Sequence, residues 1–324
     1  MSGRYDGRTA LVTGAQGFIG SLLTERLLDE GARVVALRRD VPALSRFSIE
    51  RLEQRCEVVE ADLGNYESLL RIVNEHDVEL VFHLAAQTIV GTANRSPLST
   101  FDTNVRGTYT LLEACRVAGT PSAIVVASSD KAYGEHDELP YTEDFPLAAR
   151  YPYDVSKACT DLIARAYAHG FGMPVAVTRL ANVYGGGDFN FSRIVPDTMR
   201  ALIRGGRPVI RSDGTPERDH LYVEDAVNAY LAVADSLADE RHRGRAWNAG
   251  NGRPIAVKDM VARVIKAAGS DAEPDIQGTG KPPGEIDRQW LDSTAIRTEL
   301  GWEPRFDLDR GLAETYAWYV QHLR

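Results

Sequence analysis

The stretch Thr13-Gly14-Ala15-Gln16-Gly17-Phe18-Ile19-Gly20 limits what this 324-residue chain can fold into more than any other part of it. Thr9–Thr13 ahead of it is a short apolar, β-prone run. Behind it Ile19, Leu22, Leu23 and Leu27 recur at helical spacing until Gly31. Three glycines at three-residue intervals, set between a strand and a helix, each answer a separate demand. Gly14 permits the tight turn, Gly17 lets a pyrophosphate approach the backbone at the helix N-terminus, and Gly20 lets the helix lie close to the sheet. A flexible loop would also be glycine-rich, but it would not be flanked in this way. The unit reads as the first turn of a dinucleotide-binding fold, with Gln16, Phe18 and Ile19 facing the cofactor.

The same alternation continues. Strands are expected at Arg33–Leu37, Cys56–Glu60, Leu80–Leu84, Ile124–Ala127 and Val175–Arg179, with helices at Tyr66–Glu75, Asn104–Ala118 and Val155–His169. Strand and helix in turn, joined by short glycine-marked loops, give βαβ units and an α/β, doubly wound parallel sheet of the Rossmann type. Beyond residue 180 the pattern loosens, with helical stretches at Ile194–Arg204 and Val223–Asp235. Residues 1–180 therefore read as the dinucleotide-binding domain, to which later segments return, and 181–324 mainly as a smaller substrate-binding lobe. A net charge of −9 argues against nucleic acid or an anionic membrane surface as partner. Any anionic ligand must be held by a local cluster of cations and backbone N–H groups. No apolar run approaches the roughly 20 residues of a membrane span, and Met1–Arg8 is too short and polar for a signal peptide. Cys56, Cys115 and Cys159 lie far apart and read as free thiols of a cytoplasmic protein. The histidines lack ligand spacing, so no metal is expected, and His83 reads as a packed core histidine.

Two further signals carry chemistry. Leu37 at the end of the second strand is followed by Arg38, Arg39 and Asp40. Arg38 in the ribose-reading place favours NADP(H) over NAD(H), whereas Asp40 there would favour NAD(H). Asp62 and Leu63, after the third strand, stand where an adenine would lie. Tyr153 and Lys157 are four residues apart on one helix, hence on one face. A Lys ammonium beside a phenol lowers the phenol pKa, so the phenolate can take a hydroxyl proton while hydride leaves the same carbon.

Gly14/Gly17/Gly20, Phe82–Ala86 (FHLAA), Asn104–Thr108 (NVRGT), Ser128-Ser129, Tyr153/Lys157 and Arg179–Gly185 (RLANVYG) together resemble the extended short-chain dehydrogenase/reductase family, in its NAD(P)-dependent epimerase/dehydratase branch. The likeness runs from about residue 8 to Leu300–Pro304 (LGWEP). It implies a nucleotide-diphosphate sugar as substrate and a bound NAD(P). It also implies cofactor contacts from Leu84, Ala85, Ala86 and Asn104, a substrate contact from Gln87, and a triad of Ser129, Tyr153 and Lys157. Tyr153 would act at the sugar C4 hydroxyl, Ser129 would bond the same oxygen, and Lys157 would hold the nicotinamide ribose. Helices Asn104–Arg116 and Asp154–His169 are of the type that form the dimer interface in this family.

Ser129-Asp130-Lys131 selects among the family's reactions. Simple 4-epimerases need no acid/base pair after the serine, whereas 4,6-dehydratases carry one. The Ser-Asp-Lys form resembles that of CDP-glucose 4,6-dehydratases and UDP-N-acetylglucosamine 4,6-dehydratases. By that likeness Asp130 protonates the departing C6 hydroxyl and Lys131 removes the C5 proton. Asp130 must then stay protonated and Lys131 must be available as the neutral amine, and burial favours both neutral forms. Asn182 matches a substrate-contact position, the Gly185–Pro196 loop with Arg193 resembles that of CDP-glucose dehydratases, and Arg218 matches the arginine that pairs with the diphosphate. One departure is Lys281-Pro282-Pro283-Gly284-Glu285, where many relatives have Arg-Pro-Gly-Glu; Lys281 or Arg288 would have to replace that arginine. The reading is a 4,6-dehydratase acting first on CDP-glucose. A 4-epimerase is the alternative within the family, and a non-catalytic nucleotide sensor is the alternative outside it.

Overall fold

The computed structural model describes residues 3–280 and 286–323. The first half supplies strands β1 (Thr9–Thr13), β2 (Arg33–Arg38), β3 (Glu57–Glu60), β4 (Leu80–His83), β5 (Ala123–Ala127) and β6 (Val175–Leu180). The second half adds shorter strands β7 (Asn182–Tyr184), β8 (Val209–Ile210), β9 (Glu217–Arg218) and β10 (His220–Tyr222), then β11 (Ala246–Ala249), β12 (Ile255–Ala256), β13 (Asp275–Ile276) and β14 (Arg288–Gln289). Seven form one sheet in the order β11-β6-β5-β4-β1-β2-β3, every neighbouring pair parallel.

Residue parity within the strands builds both layers of core. Ala10 and Val12 of β1 join Val34, Ala36, Phe82 and Val125 on one face, under the Phe18–Asp29 and Val223–Ser236 helices. Leu11 joins Val35, Leu37, Val81, Ile124 and Val126 on the other, under the Tyr66–Glu75, Gly107–Ala118 and Pro152–Phe171 helices. Strands buried on both faces read as unbroken apolar runs, which is why they stood out in the sequence. The chain leaves β1 for β2 on one side, while β4 pairs with β1 on the other. The strand order reverses there, and the crevice at the carboxyl ends of β1 and β4 is where this class of sheet binds ligands.

The smaller strands assemble around β9, which pairs with β12 and β14, while β7 pairs with β10 and β8 with β13. The expected helix Asn104–Ala118 is broken at its start: Asp102–Arg106 is a π-turn and the α-helix runs Gly107–Ala118. Two short helices that the sequence pattern did not reveal, Val90–Arg95 and Pro97–Phe101, precede it. A π-turn wedges one extra residue into the helical ladder and commonly marks a functional position. Here it carries the buried Asn104. Among the described residues no helix is long and apolar enough to cross a membrane.

Candidate active site

A cleft of about 1210 Å³ opens above the carboxyl ends of β1, β4 and β5. Its floor is the glycine turn. Gly14 has a positive φ of 73°, and a Cβ there would stand 2.8 Å from the Ala85 nitrogen. A Cβ on Gly20 would collide with the Gly14 carbonyl oxygen. The Phe18–Asp29 helix starts from Gly17 with no side-chain cap and no acidic residue in its first turn. Its leading N–H groups are thus left for an anion, so the cradle fits a pyrophosphate.

Most residues expected to hold the cofactor line this cleft: Gly14, Gln16 to Ile19, Asp62, Leu63, Leu84 to Ala86, Tyr153 and Lys157. Asp62 also accepts from the Gly64 N–H at 2.7 Å, a turn bond of its own. Arg38 is placed otherwise. It stands opposite Glu60 in the β2–β3 register and donates to it at 2.6 Å, while Leu37, Arg39 and Asp40 line the cleft. The pleat turns Arg38 away, and Arg39 donates to Asp40 at 2.7 Å at the cleft edge. Asn104 and Gln87 do not line the cleft either. Asn104 accepts from the Gln87 N–H at 2.7 Å and donates to the Gln87 carbonyl at 3.1 Å and to Ser156 Oγ at 2.8 Å. It ties the loop after β4 to the helix that bears Tyr153 and Lys157.

At the other end of the cleft, β5 runs into Ser128 and Ser129 and then a single 3₁₀ turn, Asp130–Tyr133. Ser129 caps that turn, its Oγ accepting from the Lys131 N–H at 3.2 Å, and the same hydroxyl donates to Asp130 Oδ1 at 3.0 Å. Asp130 is 3% exposed and its Oδ2 has no hydrogen-bond partner. Burial raises the Asp130 carboxyl above its ordinary value, against the pull of Lys131, the Ser129 bond and Arg218. Lys131 is half-buried and lines the cleft. Tyr153 and Lys157 reach the same cleft from the first turns of the Pro152–Phe171 helix.

The expected depression of the Tyr153 pKa is absent. Burial first, and then the Asp130 carboxylate, push the phenol above its ordinary value, with the Ser129 hydroxyl pulling the other way. Lys157 spends its ammonium on the Ala127 carbonyl at 2.7 Å, and burial lowers it to about 8. His83 is held between Thr13 Oγ1 at 2.8 Å and Thr108 Oγ1 at 3.0 Å, and burial lowers it to about 3. It is a core histidine. Among the described residues no group of three His, Cys, Asp or Glu side chains could hold a metal.

On the sugar side, Asn182 and Arg193 line the cleft and also a smaller adjoining pocket of about 280 Å³ that contains Arg218. Arg193 donates to Asp188 Oδ2 and to the Val183 carbonyl, both at 2.6 Å. Arg218 donates to the backbone carbonyls of Glu217, Asp287 and Ile286. Lys281 lies outside the described residues, and Arg288 turns to Glu217 at 2.8 Å. Sequence reasoning missed Asp188, which is buried and holds Arg193, and also Arg39 as a cleft-lining residue; Asp40, the alternative to Arg38, does line the cleft. It also missed Asp219, a buried carboxylate that accepts from the Asn251 and Gly252 N–H groups and is pushed up by burial to about 6. Strand parity would have flagged Arg39; nothing local in the sequence marks Asp219.

Known proteins are similar to this chain over nearly its whole length. Residues 11–315 match the family model described as GDP-mannose 4,6 dehydratase. The chain is 32% identical to the CDP-glucose 4,6-dehydratase of Salmonella typhimurium, over 99% of this chain and 92% of that one. The dTDP-glucose 4,6-dehydratase of Streptomyces venezuelae, solved with NAD bound, superimposes with a TM-score of 0.87 at 30% identity, covering 97% of each chain. The UDP-glucose 4-epimerase of Thermotoga maritima, solved with UDP-glucose, superimposes with a TM-score of 0.89 at 30% identity, covering 98% of this chain and 100% of that one. Backbone likeness alone therefore does not separate water elimination from epimerisation. It does fix the lineage: this chain belongs to the GDP-mannose 4,6-dehydratase family, within the extended short-chain dehydrogenases/reductases.

Proposed function

We propose that the protein is a nucleotide-sugar 4,6-dehydratase that converts an NDP-hexose, CDP-glucose first, to the NDP-4-keto-6-deoxyhexose. One observation carries the reading. The Asp130–Lys131 pair and the Tyr153–Lys157 pair open into the same cleft, and Asp130 presents a buried oxygen with no bond partner in a setting that favours its protonated form. A bound nicotinamide would take hydride from sugar C4 and return it to C6.

The chain's own residues account for the rest. Tyr153 takes the C4 hydroxyl proton as the phenolate, a form that burial opposes and that the Ser129 hydroxyl and Arg193 favour; Ser129 bonds the same oxygen, and the glycine turn with Gln16, Phe18 and Ile19 holds the pyrophosphate. Once C4 is a ketone the C5 proton is acidic; Lys131 removes it, Asp130 protonates the C6 oxygen as water leaves, and the Lys131 ammonium gives the proton back to C5 as hydride reaches C6. Asp130 serves as the acid because burial opposes its ionisation. Asn182, Arg193 and Arg218 face the donor nucleotide, and Arg193 can reach a phosphate only by exchanging Asp188.

Cofactor choice is read as NAD rather than NADP. Glu60 engages Arg38, and the Asp40 carboxylate lines the cleft just past β2; beside a cofactor ribose it would accept from a 2′-hydroxyl and repel a 2′-phosphate. A homodimer is proposed from the exposed apolar side chains Leu98 on the Pro97–Phe101 helix, Tyr109 and Val117 on Gly107–Ala118, and Leu162 and Phe171 on Pro152–Phe171. Three free cysteines suit a cytoplasmic setting.

The test is to incubate the purified protein with CDP-glucose, dTDP-glucose, UDP-glucose and GDP-mannose and weigh the products. A product lighter by one water, with the near-ultraviolet absorbance of a 4-ketosugar in base, is expected. The competing reading, a 4-epimerase, is favoured by the likeness to the Thermotoga maritima enzyme. It would give a product isomeric with substrate and full activity in Lys131→Ala.

A further inference from the structure

Behind the cleft, and outside it, four buried side chains form one polar network. Tyr133, the last residue of the 3₁₀ turn that begins with Asp130, is fully buried. Its hydroxyl accepts from Arg179 Nη1 at 2.7 Å and donates to Asn248 Oδ1 at 2.7 Å. Arg179, also fully buried, makes two bonds to Asp161, Nε to Oδ2 at 2.7 Å and Nη2 to Oδ1 at 3.0 Å. Asn248 Nδ2 donates to the carbonyls of Tyr141 and Asp292 at 2.9 and 3.1 Å. Asp161 follows Tyr153 and Lys157 on one stripe of the same helix, at four-residue steps.

One chain of bonds therefore joins the turn carrying Asp130 and Lys131 to the helix carrying Tyr153 and Lys157. None of the four side chains lines the cleft. A buried ion pair rarely outperforms an apolar pair for stability alone, and fixing one geometry is a better-supported use for it.

We propose that Tyr133 is a positioning residue: its hydroxyl, clamped between Arg179 and Asn248, fixes the spacing between the Asp130–Lys131 pair and the Tyr153–Lys157 pair. This rests on the dehydratase reading. Loosening the clamp leaves the C4 step in place, because Tyr153 and Lys157 stay on their helix and Ser129 stays at the end of β5, where the Ser128 N–H bonds the Thr178 carbonyl at 2.9 Å. The elimination step, removal of the C5 proton and departure of the C6 hydroxyl as water, loses its geometry.

Tyr133→Phe removes one oxygen and leaves the Arg179–Asp161 pair intact. With the NDP-hexose that the wild type dehydrates, single-turnover kinetics should show hydride leaving C4 within about twofold of the wild-type rate and elimination slowed about 10- to 100-fold. Reduced nicotinamide then accumulates in the variant and not in the wild type. Amide hydrogen exchange in the holoenzyme should speed up at residues 131–134 and stay unchanged along residues 153–161. Equal loss in both steps, or no change in either, overturns the proposal, as does unchanged exchange in the turn. If Tyr133→Phe does not fold, Asn248→Ala, which removes the acceptor of the same hydroxyl, must give the same split in smaller degree. If the wild type releases no water from any NDP-hexose, it is the dehydratase reading that fails, and the exchange measurement still decides whether Tyr133 anchors the turn.

Discussion

Replacing Asp130 with Asn should stabilise the protein while abolishing dehydration. Asp130 is 3% exposed, takes one bond from Ser129 and leaves Oδ2 without a partner. A buried polar group left unsatisfied costs about 1–3 kcal/mol, and a charged one more. The amide keeps the shape and the Ser129 bond but still buries an unpartnered NH₂, so the net gain is the difference, about 1–2 kcal/mol at neutral pH. For a chain of this size that corresponds to a rise in Tm of roughly 1.5–3 °C. The pH dependence identifies the cause. Burial raises the carboxyl in the folded protein, so the folded state holds a proton that the unfolded chain has released. Wild-type stability relative to the variant falls as pH climbs from the ordinary value of 3.8 through the raised folded value, then levels off. The melting advantage of Asp130→Asn must open over that window and stay constant above it. Loss of the general acid should cost about 10²–10⁴ in turnover. Paired melts from about pH 4 to 8, with product mass spectra, test both halves. A variant that melts lower throughout, or a gap that does not move with pH, would refute the burial argument. Undiminished water loss would refute the role of Asp130.

Three further outcomes follow from other residues. Lys157→Met should inactivate the enzyme yet stabilise it at pH 7, because burial depresses Lys157 from 10.5 to about 8 and the folded protein is penalised for keeping it charged. The shift bounds the gain at about 3 kcal/mol, less about 1 for the lost bond to Ala127. The gap should close as pH rises from about 8 towards 10.5, and melts that diverge over that range would count against it. Gly20→Ala forces a Cβ onto the Gly14 carbonyl and should cost about 3 kcal/mol together with loss of bound nucleotide, read by denaturant unfolding and by the nucleotide released on heating. That released nucleotide should be NAD in the wild type, and Asp40→Ala should lower NAD retention and let NADP compete, because it removes the repelling carboxylate and frees Arg39; NADP in the wild type would sink the cofactor assignment.

How far the sequence reaches is set by the range of the interactions involved. The glycine turn, the Tyr153/Lys157 spacing and the buried parallel strands are local patterns, and each was readable from a window of a few residues. Arg38 was misjudged because a single residue of strand parity decides whether a side chain faces the ribose or the neighbouring strand. The state of Tyr153 was misjudged because helical spacing places Lys157 near it but does not show that the Ala127 carbonyl, thirty residues back, engages the ammonium. The clamp on Tyr133 was invisible for a related reason. Its partners Arg179 and Asn248 lie 46 and 115 residues away and meet only once β6 and β11 pair in the sheet.

The central claim is that Asp130 and Lys131 convert a C4 oxidation into loss of water. The mass of the product formed from CDP-glucose by the wild type and by Lys131→Ala tests it most directly. The account predicts a wild-type product lighter than substrate by one water, and no such product from the variant. A wild-type product of unchanged mass, formed equally well by Lys131→Ala, would contradict it.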